Sequence, residues 1–248
     1  MPDDATYQLY YWPGLPGRGE FVRLVLEQAG AAYEDVTRRP AEQGGGAAAV
    51  LAQLKAEGPG LRPLAPPVLV AGELRLAQMP NICAYLGAEH GLAPSDSRGA
   101  AEAMQLQLTA ADLIAEIHDT HHPVGKSKYY EEQKSEALLY SRAFVDLRMP
   151  KFLAYFELVL QQNGGQRLVG DGLSYVDLTL AQILRGLDYA FPKALAHYRE
   201  TIPGLLALRE RVDALPAIAA YRASSRCIDF CEHGIFRAYP ELNLEPAS

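Results

Sequence analysis

The sequence predicts an α/β region over roughly its first ninety residues, followed by an all-α region. Three observations carry that prediction. Strand-like and helix-like patterns alternate as far as "APPVLVAGELRLAQMPNICAYLGAEHGL". The composition then changes after "APSDSRG". Beyond that point every periodic segment spaces its apolar residues as a helix does. The division this implies is residues 1–91 and 98–238, and a chain of 248 residues is long enough for two modest domains.

Tyr7–Trp12 is rich in aromatics that suit a pleated surface, and Pro13 and Gly14 stop it. Phe21, Leu24, Val25 and Gln28 follow helical spacing, with Gly30 as the natural stop. "AAYEDV" reads as a second short strand, with Asp35 inside it rather than at its end, and "QGGGAAAVLAQLKAEGPG" has an alanine-rich helical centre. "PPVLVAGELRLAQ" is a hairpin turning around Ala71-Gly72, and "PNICAYLGAEHGL" is a helix with Pro80 allowed in its first turn.

In the second region one helix is expected from about Gly99 to His122, with Met104, Leu108, Ala111 and Ala115 on one stripe. Another runs from near Tyr129 to Asn163, where Pro150 forces a break or kink. In "LVGDGLSYVDLTL", Ser174 is a good N-cap and Asp177, three residues on, can reach back to Ser174's backbone N–H. Leu173 and Leu178 complete a hydrophobic staple around that cap. "PGLLALRERVDALPAIAAYRAS" supplies two more helices divided at Pro216, and the tail "RAYPELNLEPAS" reads as extended and loosely held.

A formal net charge of −7 argues against general affinity for nucleic acid or an anionic membrane. The three cysteines are too few and too unevenly placed for a disulfide framework, and "MPDDATYQ" lacks the basic and apolar parts of a signal peptide. No apolar run is long enough to span a bilayer, so a reducing, cytoplasmic setting is expected.

A glycine-rich turn between a strand and a helix invites a nucleotide reading. The spacing Gly14-x-x-Gly17-x-Gly19 is the reverse of the dinucleotide fingerprint, and the chain lacks the further βαβ units of a doubly wound sheet. A turn that needs glycine for its backbone angles explains the loop better.

The stretch "YYWPGLPGRGEFVRLVLEQAGAAYEDV" resembles the opening of a cytosolic glutathione transferase of the tyrosine type. "APPVLVAGELRLAQMPNICAYLG" is similar to that family's hairpin, and "LVGDGLSYVDLTL" and "PAIAAYRAS" to its helical domain, whereas Thr37 to Leu64 match poorly. The resemblance implies a thioredoxin-like N-terminal domain, an all-helical C-terminal domain and a homodimer. It also implies glutathione as co-substrate with a small hydrophobic electrophile, and no bound cofactor.

The chemistry such a protein must solve is thiol activation. A free thiol titrates near about 8.5, so only a few per cent is thiolate at neutral pH. Lowering that by about two units takes roughly 3 kcal/mol, and one charge-assisted hydrogen bond contributes about 1.5–3. A neutral tyrosine hydroxyl aimed at the sulfur, helped by the local field, is therefore sufficient. The resemblance puts Tyr11 at this position, while strand alternation sends Tyr10 to the opposite face as core.

By the same resemblance, Pro67 is cis and lets Val68 offer its backbone to the cysteinyl unit. Arg18 lies near the tripeptide's carboxylate end, Gln78 bonds the γ-glutamyl end, and Trp12 lines or supports the pocket. Met79 departs from the family, which has Ser or Thr there. Its backbone N–H still suits an anion at a helix start, but about 0.5–1.5 kcal/mol of side-chain hydrogen bonding is lost.

The "IHDTHHPVG" stretch can set His118, His121 and His122 on one helical face. They are expected to satisfy the helix's last carbonyls and complement its dipole rather than hold a metal; an electrophile contact from His118 or His122 is the alternative. Glu116 is matched to an acidic residue that meets glutathione on a partner subunit. Cys227 and Cys231, with His233 nearby, read as buried packing, and Cys83 lies too far inside its helix to be a low-pKa nucleophile. Two rivals stand beside the transferase: a glutathione-dependent peroxidase or isomerase using the same site, and a non-catalytic interaction module, which Met79 keeps open and Tyr11, Pro67 and Gln78 speak against.

Overall fold

The structure, a computed structural model, describes residues 7–57 and 60–247. The stretch read as lacking a signal peptide lies largely outside these residues, as do Gly58-Pro59 of the predicted "AEGPG" segment and the final Ser248.

Four strands form one sheet in the order β2-β1-β3-β4. Strand β1 is Tyr7–Tyr10, β2 Tyr33–Asp35, β3 Val68–Ala71 and β4 Leu74–Ala77. Helix α1, Gly17–Ala29, is the crossover that makes β2 parallel to β1, while the tight connection at Gly72 makes β3 and β4 antiparallel. β3 also runs antiparallel to β1. Alternation works as expected: Tyr7 and Leu9 join the main core, while Tyr10 packs with Val36 and Val68 on the other face. Ala49 and Leu54 of α2, Gly46–Lys55, cover that second face.

β1 stops at Tyr10 rather than Trp12, because the Leu15 N–H turns back onto the Trp12 carbonyl at 3.3 Å and Gly14 takes φ 73°. Gly30 ends α1 in a left-handed conformation, φ 63°, as the sequence required. Asp35, expected inside its strand, is instead the last residue of β2, where its carboxylate accepts from Arg23 Nε at 2.8 Å.

All the remaining described elements are helical: α3 Met79–Glu89, α4 Ser97–Asp119, α5 Lys134–Ala143, α6 Met149–Gln162, α7 Tyr175–Ala190, α8 Pro192–Tyr198, α9 Pro203–Asp213 and α10 Pro216–Arg222. The helical stretch expected from Tyr129 to Asn163 is interrupted next to Pro150, as the sequence required, and again at its start. A 3₁₀ turn occupies Tyr130–Glu132, and a π-helical stretch, Phe144–Arg148, joins α5 to α6, whose first turn holds Pro150. The predicted stripe of α4 is rotated. Ala103, Leu106, Ala110, Leu113, Ile114 and Ile117 enter the core, while Leu108 is 51% exposed. Both sets repeat at helical spacing, and neighbouring helices decided which faces inward.

α7 is the centre of the molecule, buried along nearly its whole length. Its capping box is present: Ser174 Oγ accepts from the Asp177 N–H, and Asp177 Oδ2 accepts from the Ser174 N–H at 2.8 Å. Asp177 Oδ1 also takes the Leu168 N–H at 2.9 Å, so one buried carboxylate fixes the preceding loop as well. The core is continuous across the two regions, and the Tyr175 N–H donates to the Leu92 carbonyl at 2.9 Å across the joint.

The tail is packed rather than loose. Ile235, Phe236 and Leu242 are buried, and Tyr239 stacks on Tyr130 with ring centroids 3.9 Å apart. The Phe236 ring lies so close over Gly186 of α7 that a Cβ there would fall 2.3 Å from it. Aromatic residues spaced through "GIFRAYPEL" give this segment the apolar area that holds it down.

Candidate active site

Sheet register builds the site. Tyr10 pairs with Val68 and Val68 with Ala77, so the residue after β1, the residue before β3 and the residue after β4 meet at one edge. Those residues are Tyr11, Pro67 and Gln78. The Pro66–Pro67 bond is cis, as the resemblance implied. Gln78 is exposed, has φ 70° and stands immediately before α3. Val68 opens β3 with its side chain buried.

Tyr11 lies against the start of α1. Its hydroxyl oxygen accepts the Arg18 backbone N–H at 2.9 Å, supplying the side-chain cap that Pro16, at the cap position, does not. The ring fits only because two neighbours have no side chain. A Cβ on Gly17 would fall 2.2 Å from the Tyr11 hydroxyl oxygen, and one on Gly19 2.6 Å from its ring. These glycines, read from the sequence as turn formers, therefore also make a berth for the phenol.

Burial raises the Tyr11 pKa above that of a free tyrosine, opposed by the Arg18 N–H bond and by the charges of Arg18 and Arg23. The hydroxyl therefore keeps its proton at neutral pH. No acceptor for that proton is found among the described residues. A buried hydroxyl with its oxygen anchored and its proton unclaimed can donate to an anion. It sits at a helix N-terminus, where the macrodipole contributes the equivalent of about half a positive charge.

Trp12 and Arg18, both half-buried, flank this group. Met79 stands at the start of α3, where the sequence reading placed its backbone N–H. Its side chain is 1% exposed and turned into the core, where Gln107 Nε2 donates to its sulfur at 3.1 Å. Any contact from residue 79 with a ligand must come through its backbone. Both oxygens of Glu116 accept from Arg148 at 2.6–3.2 Å within the same chain. Cys83 is fully buried, and burial pushes its thiol above the ordinary range, which leaves it unreactive.

The three histidines lie together at the end of α4, with ring centroids 4.8–5.1 Å apart. They do not satisfy that helix's last carbonyls. His121 Nε2 meets the Ile235 carbonyl at 2.8 Å, His118 Nδ1 meets Asp119 at 3.2 Å, and the Nδ1 atoms of His121 and His122 are 2.6 Å apart. Burial lowers all three pKa values, to about 4 for His118 and about 2 for His121. Arg18 contributes to the lowering at His118, which puts the end of α4 within electrostatic reach of the Tyr11 site.

A cleft of about 360 Å³ runs past His122, between Lys126, Tyr130, Arg237 and Tyr239. Another, of about 570 Å³, lies at α7 and α9. It is lined by pairs that neutralise one another, Arg185–Asp213 and Arg209–Asp188, and by none of the candidate residues.

Known proteins resemble this chain in both sequence and fold. Residues 118–225 match the family model described as "Glutathione S-transferase, C-terminal domain". The chain is 29% identical over 214 residues to glutathione S-transferase alpha-3 of Rattus norvegicus, covering 86% of each. It is 26% identical over 161 residues to a glutathione S-transferase of Plasmodium yoelii yoelii, covering 64% of this chain and 68% of that one. Among solved structures, a C. elegans glutathione S-transferase superposes with a TM-score of 0.66 at 25% identity, over 91% of this chain and all of that one. A hookworm protein from Necator americanus, titled a monomeric glutathione S-transferase, gives 0.66 at 22%, over 91% and 100%. The two solved structures thus share the fold seen here, in which a small mixed sheet is followed by helices.

Proposed function

We propose that this protein is a glutathione transferase, belonging to the superfamily that its fold and its C-terminal region resemble, and that Tyr11 activates the thiol. One observation carries the assignment of Tyr11: its oxygen is fixed by the Arg18 N–H while its proton remains free. Glutathione lies along the sheet edge formed by Tyr11, Pro67 and Gln78, with Val68 offering backbone to the cysteinyl unit. The backbone N–H of Met79, at the start of α3, meets the γ-glutamyl carboxylate. Arg18 serves the tripeptide's other carboxylate and Trp12 walls the pocket. The thiol proton leaves to solvent, the Tyr11 hydroxyl donates to the thiolate, and the sulfur attacks an electrophilic carbon as its leaving group departs. His118 and His122 border the electrophile's side.

Residues 1–91 and 98–238 act as the two domains, a division supported by the four described strands all preceding α3. The working form is a homodimer, and the setting is cytoplasmic. Among the described residues no helix is long and apolar enough to cross a membrane.

The test is retention on immobilised glutathione together with conjugation of a chloronitroaromatic acceptor. Binding with conjugation supports the reading. Binding with peroxide turnover but no conjugation would reassign the site to a peroxidase. Absence of both would leave an interaction module.

A further inference from the structure

We propose that His118, His121 and His122 form a binding site for one divalent transition metal ion, with zinc as the expected occupant. One ring nitrogen from each lies within 4.8 Å of the other two. The fold brings them there because the turn after α4 doubles back. Thr120 Oγ1 donates to the Ile117 carbonyl at 2.7 Å and the His121 N–H to the His118 carbonyl at 3.3 Å. Both later rings are thereby carried to the side of His118.

The protons are arranged as ligation requires. His121 Nε2 faces a carbonyl and must carry hydrogen, which leaves its Nδ1 with a free lone pair. His118 Nδ1 faces the Asp119 carboxylate, which leaves its Nε2 free. Anchoring one ring nitrogen on a carbonyl or carboxylate so that the other can ligate is the outer-shell pattern of histidine metal sites. The two Nδ1 atoms of His121 and His122 are 2.6 Å apart and share one proton; when an ion binds, His122 moves that proton to Nε2.

A tetrahedral zinc–nitrogen set with bonds of about 2.1 Å places its nitrogens about 3.4 Å apart. The widest pair must therefore close from within 4.8 Å, a movement open to His118, the most exposed of the three with an 18% exposed side chain. Three nitrogens leave a fourth position, reached from the cleft beside His122. Asp119 is the carboxylate that acts on the cluster, against the positive charges of Arg18, Lys126 and Arg237. That surplus of positive charge favours an anionic fourth ligand such as hydroxide or a thiolate.

The test uses the full chain, stripped with a chelator and titrated with Co²⁺ alone, then with Zn²⁺. The expected result is one cobalt per chain with the strong visible absorption of a four-coordinate ion, bleached by one equivalent of zinc. His118→Gln and His122→Gln should each weaken binding by at least about tenfold, and Asp119→Asn by about tenfold through the outer shell, with far-ultraviolet circular dichroism unchanged. A weak six-coordinate spectrum in the parent would overturn the site. So would full affinity in both histidine variants while their fold is intact. No step depends on glutathione, so the outcome is independent of the transferase assignment.

Discussion

Tyr11 and Tyr221 are two buried phenols that touch the same helix within its first few residues, and they are used in opposite ways. Tyr221, from α10, donates its proton to the Glu20 carboxylate, at 2.9 and 3.1 Å to the two oxygens. Glu20 is also paired with Arg23 at 3.2 Å, and Arg23 reaches Asp35 and the Pro16 carbonyl. That cluster is saturated, with each charge answered by another. Tyr11 instead accepts a backbone N–H and gives its proton to nothing in the described chain. The same chemical group is structural where its proton is bound up and available for chemistry where it is not. Burial raises the pKa of both hydroxyls, so burial alone does not separate the two roles.

The largest effect should come from leaving the saturated cluster with an unanswered charge. Arg23→Met removes the cation shared by Glu20 and Asp35, both of which then sit buried or nearly so. Breaking a buried pair from one side costs about 3–5 kcal/mol, and urea unfolding should read that loss. A loss below about 1 kcal/mol would mean that the cluster does not hold the two regions together. Next in size is Tyr221→Phe, which deletes bonds to a carboxylate and should cost about 1.5–3 kcal/mol of stability. Its effect on the pKa of bound glutathione's thiol should be nil, because its proton never faced the ligand.

Tyr11→Phe should invert that result. The thiol pKa of bound glutathione, followed by ultraviolet thiolate absorption, should rise by a unit or more, about 1.4 kcal/mol per unit. The stability cost should stay near that of a lost helix cap, about 0.5–2 kcal/mol. Gly17→Ala should reproduce the thiol shift without touching the hydroxyl, since the new Cβ would occupy the phenol's berth at a φ of 41° that disfavours a side chain. A normal thiol titration in both variants would remove Tyr11 from the mechanism. The pH profile of the parent carries the same information. Since the hydroxyl titrates above 10.0, turnover should climb through the thiol's pKa and hold, with no descending limb below about pH 10.

Much of this arrangement is legible in the sequence, and the remainder has identifiable causes. Local signals suffice for the individual strands, the stop at Gly30 and the Ser174–Asp177 box, because each depends on neighbours in sequence, whereas Tyr11 is singled out by the family resemblance. The face that α4 buries is not readable that way, because two apolar sets repeat with the same period and only packing partners choose between them. Tyr221 and Glu20 lie about two hundred positions apart, and a buried ion cluster of that reach leaves no periodic trace. The same holds for the Ile235 carbonyl that orients His121. Met79 does stand at the start of α3, but its side chain follows the core rather than the site, as its apolar character favours.

The smallest expected effect separates the two parts of Arg18. In the structure the contact is through its backbone N–H, and the side chain is half-buried. Arg18→Ala keeps the N–H and deletes only the guanidinium, so Tyr11 should stay in place. The thiol pKa should then rise by a few tenths of a unit, on the order of 0.5 kcal/mol for a partly solvated charge. Salt separates the two contributions further. Near 1 M the Debye length falls to about 3 Å, which should erase the Arg18→Ala shift while leaving that of Tyr11→Phe almost intact. If Arg18→Ala instead raised the thiol pKa as far as Tyr11→Phe does, the thiolate's partner would be the guanidinium. The anchored phenol would then be a helix cap and nothing more, a purely structural group like Tyr221.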